Sequence, residues 1–303
     1  MKIAVIGSIN MDLVLQVQRL PQKGETLLAD HYEKVPGGKG ANQAVAASRL
    51  GADVTMFGAL GKDGFGDELL ERLKQEKIHT EGILRTETPS GNAMITIDEQ
   101  GNNTIIVYPG ANFDVTESWI RDKLELLEEA EWVMFQLETP MKTVEDGILR
   151  LKASGKNILL NPAPAKELPD SLYPMIDVIT PNETELALLS GTEDIEAGAR
   201  ILLKKGVRQV VVTMGEEGSV AISHELAIVG KPYRVKAIDT TAAGDTFNAA
   251  LLVALMEEKG MKEALSFANA AGALATTKLG AQSSLPTKEE VLELMKKGLK
   301  QNA

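Results

Sequence analysis

Six short apolar runs, rich in β-branched residues, recur along the chain and are separated by longer helical patterns. The runs lie at residues 3–7, 54–60, 132–137, 157–161, 178–180 and 210–215. They do not alternate strictly between apolar and polar residues, which is typical of strands buried in a parallel sheet. The helical patterns lie at residues 40–51, 67–77, 116–130, 143–155, 248–260 and 264–282. Strand alternating with helix predicts a doubly wound α/β fold, in which a mostly parallel sheet is flanked by helices.

Two segments depart from this rhythm. Residues 12–35 and 91–108 alternate apolar and polar residues around turns that contain glycine, as exposed antiparallel strands do. We therefore expect these segments to form a small antiparallel β lid. The lid would project from a main domain that binds nucleotide and substrate and is made of residues 1–11, 36–90 and 109–303.

The lid sequence also predicts an interface. Leu13, Leu15 and Val17 would place apolar side chains on an exposed face of the small sheet. An exposed apolar face favours a partner, and most soluble oligomers are symmetric assemblies of one chain. The pattern therefore predicts a homodimer with its contact through the lid.

Composition excludes several classes of protein. The 32 Lys and Arg against 43 Asp and Glu give a formal charge of −11 without a long basic block, which argues against nucleic-acid binding. Cysteine is absent, so disulfides, thiolate nucleophiles and cysteine zinc sites are excluded. The Walker GxxxxGK[ST] and hydrolase GxSxG motifs are absent too. Without an apolar stretch of membrane length or a signal-like start, we expect a cytoplasmic protein with no membrane contact.

The stretch DTTAAGDTFNAA, residues 239–250, places small residues before an aspartate where a long helix begins. A phosphate can approach the backbone of Ala242, Ala243 and Gly244, and a helix N-terminus directs free N–H groups and a positive dipole end toward it. Asp245 either caps this helix or takes a proton from a hydroxyl that attacks a phosphoryl group. The pattern predicts an anion site and leaves both roles open.

Polar side chains that suit a polyol occur near predicted strand ends, where α/β sheets bind ligands. SINMDL carries Asn10 and Asp12, PGGKGANQA joins two glycines to Lys39 and Asn42, and QLE ends in Glu138. Amide, ammonium and carboxylate groups supply the donors and acceptors that sugar hydroxyls need. Asn and Asp after a strand are also common turn residues, so this reading competes with a structural one.

Two further stretches suit a nucleotide. In TPNETE, Asn182 and Glu185 are three residues apart, which places both near phosphates if Pro181 opens a helix. The same spacing fits a helix capping box. TMGEEG, residues 213–218, is a strand, turn and glycine element that either holds a nucleotide or turns a hairpin.

Across nearly the whole chain, these stretches resemble the ribokinase family of sugar and nucleoside kinases. GGKGANQA and DTTAAGDTFNAA are similar to its two signature motifs, and TPNETE to its Asn-x-x-Glu magnesium and phosphate motif. The resemblance implies a ribokinase-like fold and an ATP-dependent kinase that phosphorylates D-ribose at O5. The alternatives are a related kinase for deoxyribose, a ketohexose or a nucleoside, and, more remotely, a non-catalytic sugar- or nucleotide-binding regulator. The 4% aromatic content favours a free sugar over a nucleoside, since few rings are available for stacking.

The resemblance also implies roles for individual residues. Asp245 would be the general base, and the anion hole would be Ala242, Ala243 and Gly244. The sugar would be bound by Asp245 with Asn10, Asp12, Gly38, Lys39, Asn42 and Glu138. ATP would be bound by Asn182, Thr213, Gly215, Gly218, Gly244 and Asn269, with Glu185 organising Mg²⁺ through water. A monovalent cation, K⁺, would be bound by Asp239, Thr241, Ala275, Lys278, Gly280 and Ser284.

Overall fold

The computed structural model describes residues 2–301, with side chains for residues 2–298. Its strands are β1 (Lys2–Ile6), β2 (Asn10–Gln16), β3 (His31–Gly37), β4 (Asp53–Gly61), β5 (His79–Thr86), β6 (Gly91–Ile97), β7 (Asn103–Tyr108), β8 (Trp132–Phe135), β9 (Asn157–Leu160), β10 (Val178–Ile179), β11 (Gln209–Thr213), β12 (Ser219–Ile222) and β13 (Ala227–Gly230). Its α-helices are α1 (Lys39–Arg49), α2 (Gly64–Gln75), α3 (Glu117–Asp122), α4 (Leu124–Leu127), α5 (Met141–Ala153), α6 (Glu183–Ser190), α7 (Ile195–Lys204), α8 (Ala243–Met256), α9 (Met261–Ala275), α10 (Ala281–Ser284) and α11 (Lys288–Gln301). Short 3-10 helices lie at Gly110–Asp114, Tyr173–Met175 and Gly215–Glu217.

The main sheet has nine strands in the order β13-β12-β11-β10-β9-β8-β1-β4-β5. Every pair from β11 to β5 is parallel, and β12 and β13 add an antiparallel edge. Alternate residues of β1 enter two separate cores. Ile3 and Val5 pack with α1, α8 and α9, whereas Ala4 and Ile6 pack with α5 and α7. Helices therefore cover both faces, which confirms the predicted doubly wound sheet.

Two predicted helices end earlier than the sequence pattern indicated. The helix expected at 116–130 is divided into α3 and α4 at Lys123, whose amide bonds to the Ile120 carbonyl three residues back. The helix expected at 264–282 ends at Ala275, because Thr276 and Thr277 also bond three residues back through both amide and hydroxyl. Among the described residues, no helix is long and apolar enough to cross a bilayer.

The lid is a separate four-stranded sheet in the order β3-β2-β6-β7. The antiparallel pairs β2–β3 and β6–β7 are present as predicted, and they are joined by a parallel pairing of β2 with β6 that the sequence did not predict. β2 begins at Asn10 and β3 ends at Gly37, so both strands extend into segments assigned to the main domain. Residues that hold ligands in the resemblance therefore lie on the lid itself.

Both faces of the lid sheet carry exposed apolar side chains. Leu13 pairs with Met94, which pairs with Ile106, so these side chains share one face. Met94 and Ile106 are 54% and 71% exposed. Val17, expected on that exposed face, is buried instead. Asp12, one residue before Leu13, belongs to the opposite face, which it shares with its paired residues Val35 and Ala93 and with the exposed Val107.

Candidate active site

A strained turn starts α8 and leaves amides free for an anion. Ala242 precedes the helix with φ 60°, a left-handed conformation that costs roughly 1 kcal/mol for a residue with a Cβ atom. The Ala243 amide donates to the Thr240 carbonyl at 3.2 Å. The amides of Gly244 and Asp245 donate to no carbonyl within the described part of the chain. Of the proposed anion-hole residues, Ala242 and Gly244 therefore have backbone amides without an acceptor among the described residues, while the amide of Ala243 closes the turn.

Asp245 does not cap α8. The helix has no side-chain cap, and the buried Asp245 carboxylate is instead held by α1. Its Oδ2 accepts a hydrogen bond from Asn42 Nδ2, and its Oδ1 accepts one from Gln43 Nε2, both at 3.0 Å. Donors on both oxygens restrict the orientation of the carboxylate. The capping interpretation of this residue is therefore wrong.

A second carboxylate lies at the entrance to α1. Glu138 follows β8, and its Oε2 accepts hydrogen bonds from Ser8 Oγ at 2.5 Å and from the Lys39 backbone amide at 3.1 Å. Gly38 makes this approach possible, because its φ of 87° favours glycine and a Cβ there would lie 2.8 Å from the Asn10 backbone nitrogen. These contacts bring together four of the predicted sugar-site residues, namely Asn10, Gly38, Lys39 and Glu138. Ser8 was not predicted, although it lies within the SINMDL stretch.

Asn112 was missed by the sequence analysis. It is buried, its Nδ2 donates to Asn10 Oδ1 at 2.7 Å, and its Oδ1 accepts from the Ile9 amide at 2.9 Å. Asn112 follows β7, so the chain leaving the lid is hydrogen-bonded to the chain entering it. A single Asn in a loop carries no sequence signal that distinguishes it from a turn residue.

The charged side chains of the predicted sugar site, Asp12, Lys39 and Glu138, interact with one another. Burial, and then the Glu138 carboxylate, raise the pKa of Asp12 to about 7, partly offset by the Lys39 ammonium. Burial lowers the pKa of Lys39, but the carboxylates of Asp245 and Glu138 outweigh it, and the net pKa is raised. Lys39 is therefore a charged ammonium, while Asp12 exchanges a proton near neutral pH.

We expect Asp12→Asn to stabilise the unliganded protein at alkaline pH. The pKa of Asp12 is raised from its ordinary 3.8 to about 7. The folded state therefore binds this proton more tightly, and the stability it contributes is lost as pH rises from about 4 through 7. Asn has the same shape and no charge to bury. Thermal melts should show the variant's advantage growing by roughly 2–5 °C between pH 5 and pH 8. An advantage that does not change with pH would contradict the raised pKa.

A cavity of about 880 Å³ adjoins the N-terminus of α8. This volume suits a nucleotide-sized ligand. Six of the predicted nucleotide residues line it: Asn182, Thr213, Gly215, Gly218, Gly244 and Asn269. The extended segment after β13 also lines it, through Pro232, Tyr233, Arg234, Val235 and Ala237, and was missed because it has neither periodicity nor a motif.

TPNETE and TMGEEG each serve local structure as well as the cavity. Asn182 and Glu185 form a capping box, with side-chain to backbone bonds of 2.8 and 2.9 Å in the two directions. Burial raises the pKa of Glu185, against the opposing effects of the Asn182 amide and Lys39. Glu185 is buried and is not among the residues that line the cavity, whereas Asn182 and Thr213 line it and form a β-bridge with each other. TMGEEG turns the β11–β12 hairpin.

Asp239 connects two of the segments that carry the residues proposed for a monovalent cation, the loop before α8 and the loop before α10, whereas Ala275 ends α9 and Ser284 ends α10. Asp239 Oδ1 accepts from the Thr241 amide and hydroxyl at 2.9 and 2.6 Å, and its Oδ2 from the Gly280 amide at 2.8 Å. These bonds hold the pKa of Asp239 low despite the opposing effect of burial. Within residues 2–298, no three His, Cys, Asp or Glu side chains gather as a metal site. Oxygen ligands from carbonyls and one carboxylate fit a hard monovalent ion better than a transition metal.

Asp245 links these parts. Its carboxylate is bound by Asn42, one of the predicted sugar-site residues, and it lies in the first turn of α8, whose N-terminus lines the nucleotide-sized cavity. A phosphoryl group that passed from a nucleotide to a hydroxyl would do so here. Fold and site together define an α/β kinase of small hydroxylated molecules.

The pfkB family of carbohydrate kinases matches residues 1–288, and the chain belongs to this family. A ribokinase of Haemophilus influenzae is 40% identical, over 97% of this chain and 98% of the relative. A deoxyribokinase of Salmonella typhi is 37% identical, over 97% and 99%. The structure of Arabidopsis thaliana ribokinase complexed with ribose and ATP matches with a TM-score of 0.91 and 35% identity, covering 97% of this chain and 98% of that one.

Proposed function

We propose that this chain transfers the γ-phosphoryl group of ATP to O5 of D-ribose, giving D-ribose 5-phosphate and ADP. The observation that carries the proposal is the buried Asp245 carboxylate, held by two amides between the sugar pocket and the free N-terminus of α8. The similarity to ribokinases, one of them complexed with ribose and ATP, supports both substrates.

In the proposed reaction, Asp245 accepts the proton of the ribose 5-hydroxyl as its oxygen bonds to the γ-phosphorus. The bond from that phosphorus to the β–γ bridging oxygen breaks, and ADP leaves with the electron pair. The free amide of Gly244 and the positive end of α8 stabilise the charge on the transferring group. When bound, Mg²⁺ would supply positive charge to the phosphates, and Glu185 would hold one of its waters.

One orphaned atom supports a sugar in the pocket beside Asp245. Asn42 Oδ1 is buried and has no partner among the described residues, while the Nδ2 of the same amide is bound to Asp245. Buried polar atoms without a partner are rare and call for a ligand or water. A sugar hydroxyl bound there would donate to Asn42 next to the carboxylate that takes up the proton.

ADP production from Mg-ATP in potassium buffer tests the proposal, with D-ribose, deoxyribose, fructose, adenosine or no acceptor. We expect D-ribose to give the highest kcat/KM. If deoxyribose or another acceptor is preferred, the kinase reaction stands and the sugar assignment fails. If no acceptor releases ADP, the chain is a binding protein. That last reading is disfavoured because binding alone has no need of a carboxylate oriented as Asp245 is.

We further propose that K⁺ binds between the loops that Asp239 connects. The cation would stiffen the turn before α8 and keep the Gly244 amide aimed at phosphate. Exchanging K⁺ for tetramethylammonium should lower kcat at least tenfold, because the larger ion does not fit between carbonyls. Equal rates in the two salts would remove the cation site from the mechanism.

The lid is proposed to close over the sugar and to form the contact of a homodimer. Met94 and Ile106 are exposed on its outer face, where a second copy of the chain would cover them. Sedimentation at micromolar concentration should show a dimer, and Ile106→Glu should give monomer while Leu226→Glu, at an exposed position elsewhere, should not. A monomeric parent protein would refute this interface. The cytoplasmic location stays a prediction, which cell fractionation tests.

A further inference from the structure

A chain of buried amides leads from the carboxyl ends of the central strands to Asp245. Gln43 is wholly buried, and its Nε2 donates to Asp245 Oδ1 at 3.0 Å and to Asn161 Oδ1 at 3.1 Å. Its Oε1 accepts from Gln136 Nε2 at 2.6 Å. Gln136 directly follows β8, and Asn161 directly follows β9. The carboxylate is thereby connected to two rigid strands of the main sheet.

The chemistry of the groups allows one orientation of the Gln43 amide. If its oxygen and nitrogen were exchanged, the oxygen would face the Asp245 carboxylate and the Asn161 carbonyl, and the nitrogen would face the Gln136 NH₂ group. Each of these contacts would be repulsive. The Gln136 side chain fits in its position only because residue 7 is glycine, since a Cβ atom on residue 7 would lie 2.0 Å from Gln136 Oε1. The direction of donation toward Asp245 is therefore determined by the surrounding packing.

Gln43 differs in this respect from its neighbour Asn42. Asn42 also donates to Asp245, but its Oδ1 is unpaired and available to the sugar. Gln43 has 0% exposure, and its polar atoms are already used inside the protein. Any influence of Gln43 on the reaction must therefore act through Asp245.

We propose that Gln43, supported by Gln136, is a positioning residue that holds the Asp245 carboxylate in the orientation needed to accept the substrate proton. This inference rests on the proposed function, in which Asp245 is the base. Without the donor from Gln43, the carboxylate can rotate about its side-chain bonds, and its charged form loses a hydrogen bond in a buried site. Productive alignment and proton affinity both change, while the sugar contacts stay.

Three variants test this role. Gln43→Met and Gln136→Met remove each amide while keeping a side chain of similar length. Thr143→Val, on α5, removes a buried hydroxyl bound at 2.7 Å to the Val115 carbonyl and serves as the control for loss of a buried hydrogen bond. We expect Gln43→Met to lower kcat roughly 10- to 100-fold with the calorimetric ribose Kd changed less than threefold. The acid limb of its pH–rate profile should move to higher pH. Gln136→Met should show the same pattern to a smaller extent, and Thr143→Val neither change.

A double variant separates this inference from the function on which it rests. Adding Gln43→Met to Asp245→Asn should lower kcat no further, since the group through which Gln43 acts is already gone. If Asp245→Asn itself keeps more than a tenth of the activity, the proposed base is wrong. If Asp245→Asn is inactive but Gln43→Met behaves like Thr143→Val, or the losses simply add in the double variant, the positioning role alone is refuted.

Discussion

Replacing Asp245 by Asn should reduce kcat by roughly 10³-fold, in the middle of the range that a general base contributes, and change ribose affinity by no more than a few fold. Asn fills the same buried space but cannot accept a proton from the 5-hydroxyl. It also presents an NH₂ group to one of the two amide donors that hold the carboxylate, Asn42 and Gln43, so a small local rearrangement is expected.

Steady-state kinetics and calorimetry with D-ribose together measure this effect. Asp194→Asn is a suitable control, because Asp194 caps α7 and Asn is an equally good cap. A loss of less than tenfold in Asp245→Asn would show that another group accepts the proton. A loss of ribose binding as large as the loss of kcat would instead assign Asp245 to the sugar site alone.

Replacing Glu138 by Gln should weaken ribose binding by roughly 10- to 100-fold, while kcat at saturating sugar changes much less. Hydrogen bonds to charged groups contribute about 1.5–3 kcal/mol, which corresponds to that range of affinity. Glu138 uses Oε2 for Ser8 and for the Lys39 amide, which leaves Oε1 for the sugar. In the Gln variant, one of the two oxygens is replaced by an NH₂ group, which cannot accept a hydrogen bond. Either the sugar or the pair formed by Ser8 and the Lys39 amide then loses its acceptor.

The Kd for D-ribose, measured by calorimetry, decides the outcome. Glu196→Gln removes a carboxylate from an exposed pair with Arg200 on α7 and should leave the Kd unchanged. If Glu138→Gln binds ribose as the parent protein does, Glu138 organises the entrance to α1 without touching the sugar. A fall in kcat with unchanged Kd would move its role to the transition state.

The secondary structure was predictable where the pattern was long or strongly apolar. All six predicted strands are in the main sheet, since short runs rich in β-branched residues are typical of buried strands, whereas the helical patterns are longer. The predictions were wrong at the boundaries of helices. At Lys123, for example, an i to i−3 hydrogen bond divides a predicted helix in two, although its apolar spacing continues. The parallel pairing of β2 with β6 was also missed, because the two strands are far apart in the chain and no local sequence pattern specifies which strands pair.

The sequence by itself determined the α/β class, the position of the small sheet and some of the groups near Asp245, Asn42 among them, because periodicity and motifs are local properties of a chain. It did not single out Gln43. Tertiary structure decided what Asp245 does there. Its two hydrogen-bond donors lie 203 and 202 residues away, at Asn42 and Gln43, and they reach it only because α1 and α8 pack in the same core. Whether an aspartate at a helix start caps that helix or is held for chemistry depends on such partners, and no local pattern encodes them.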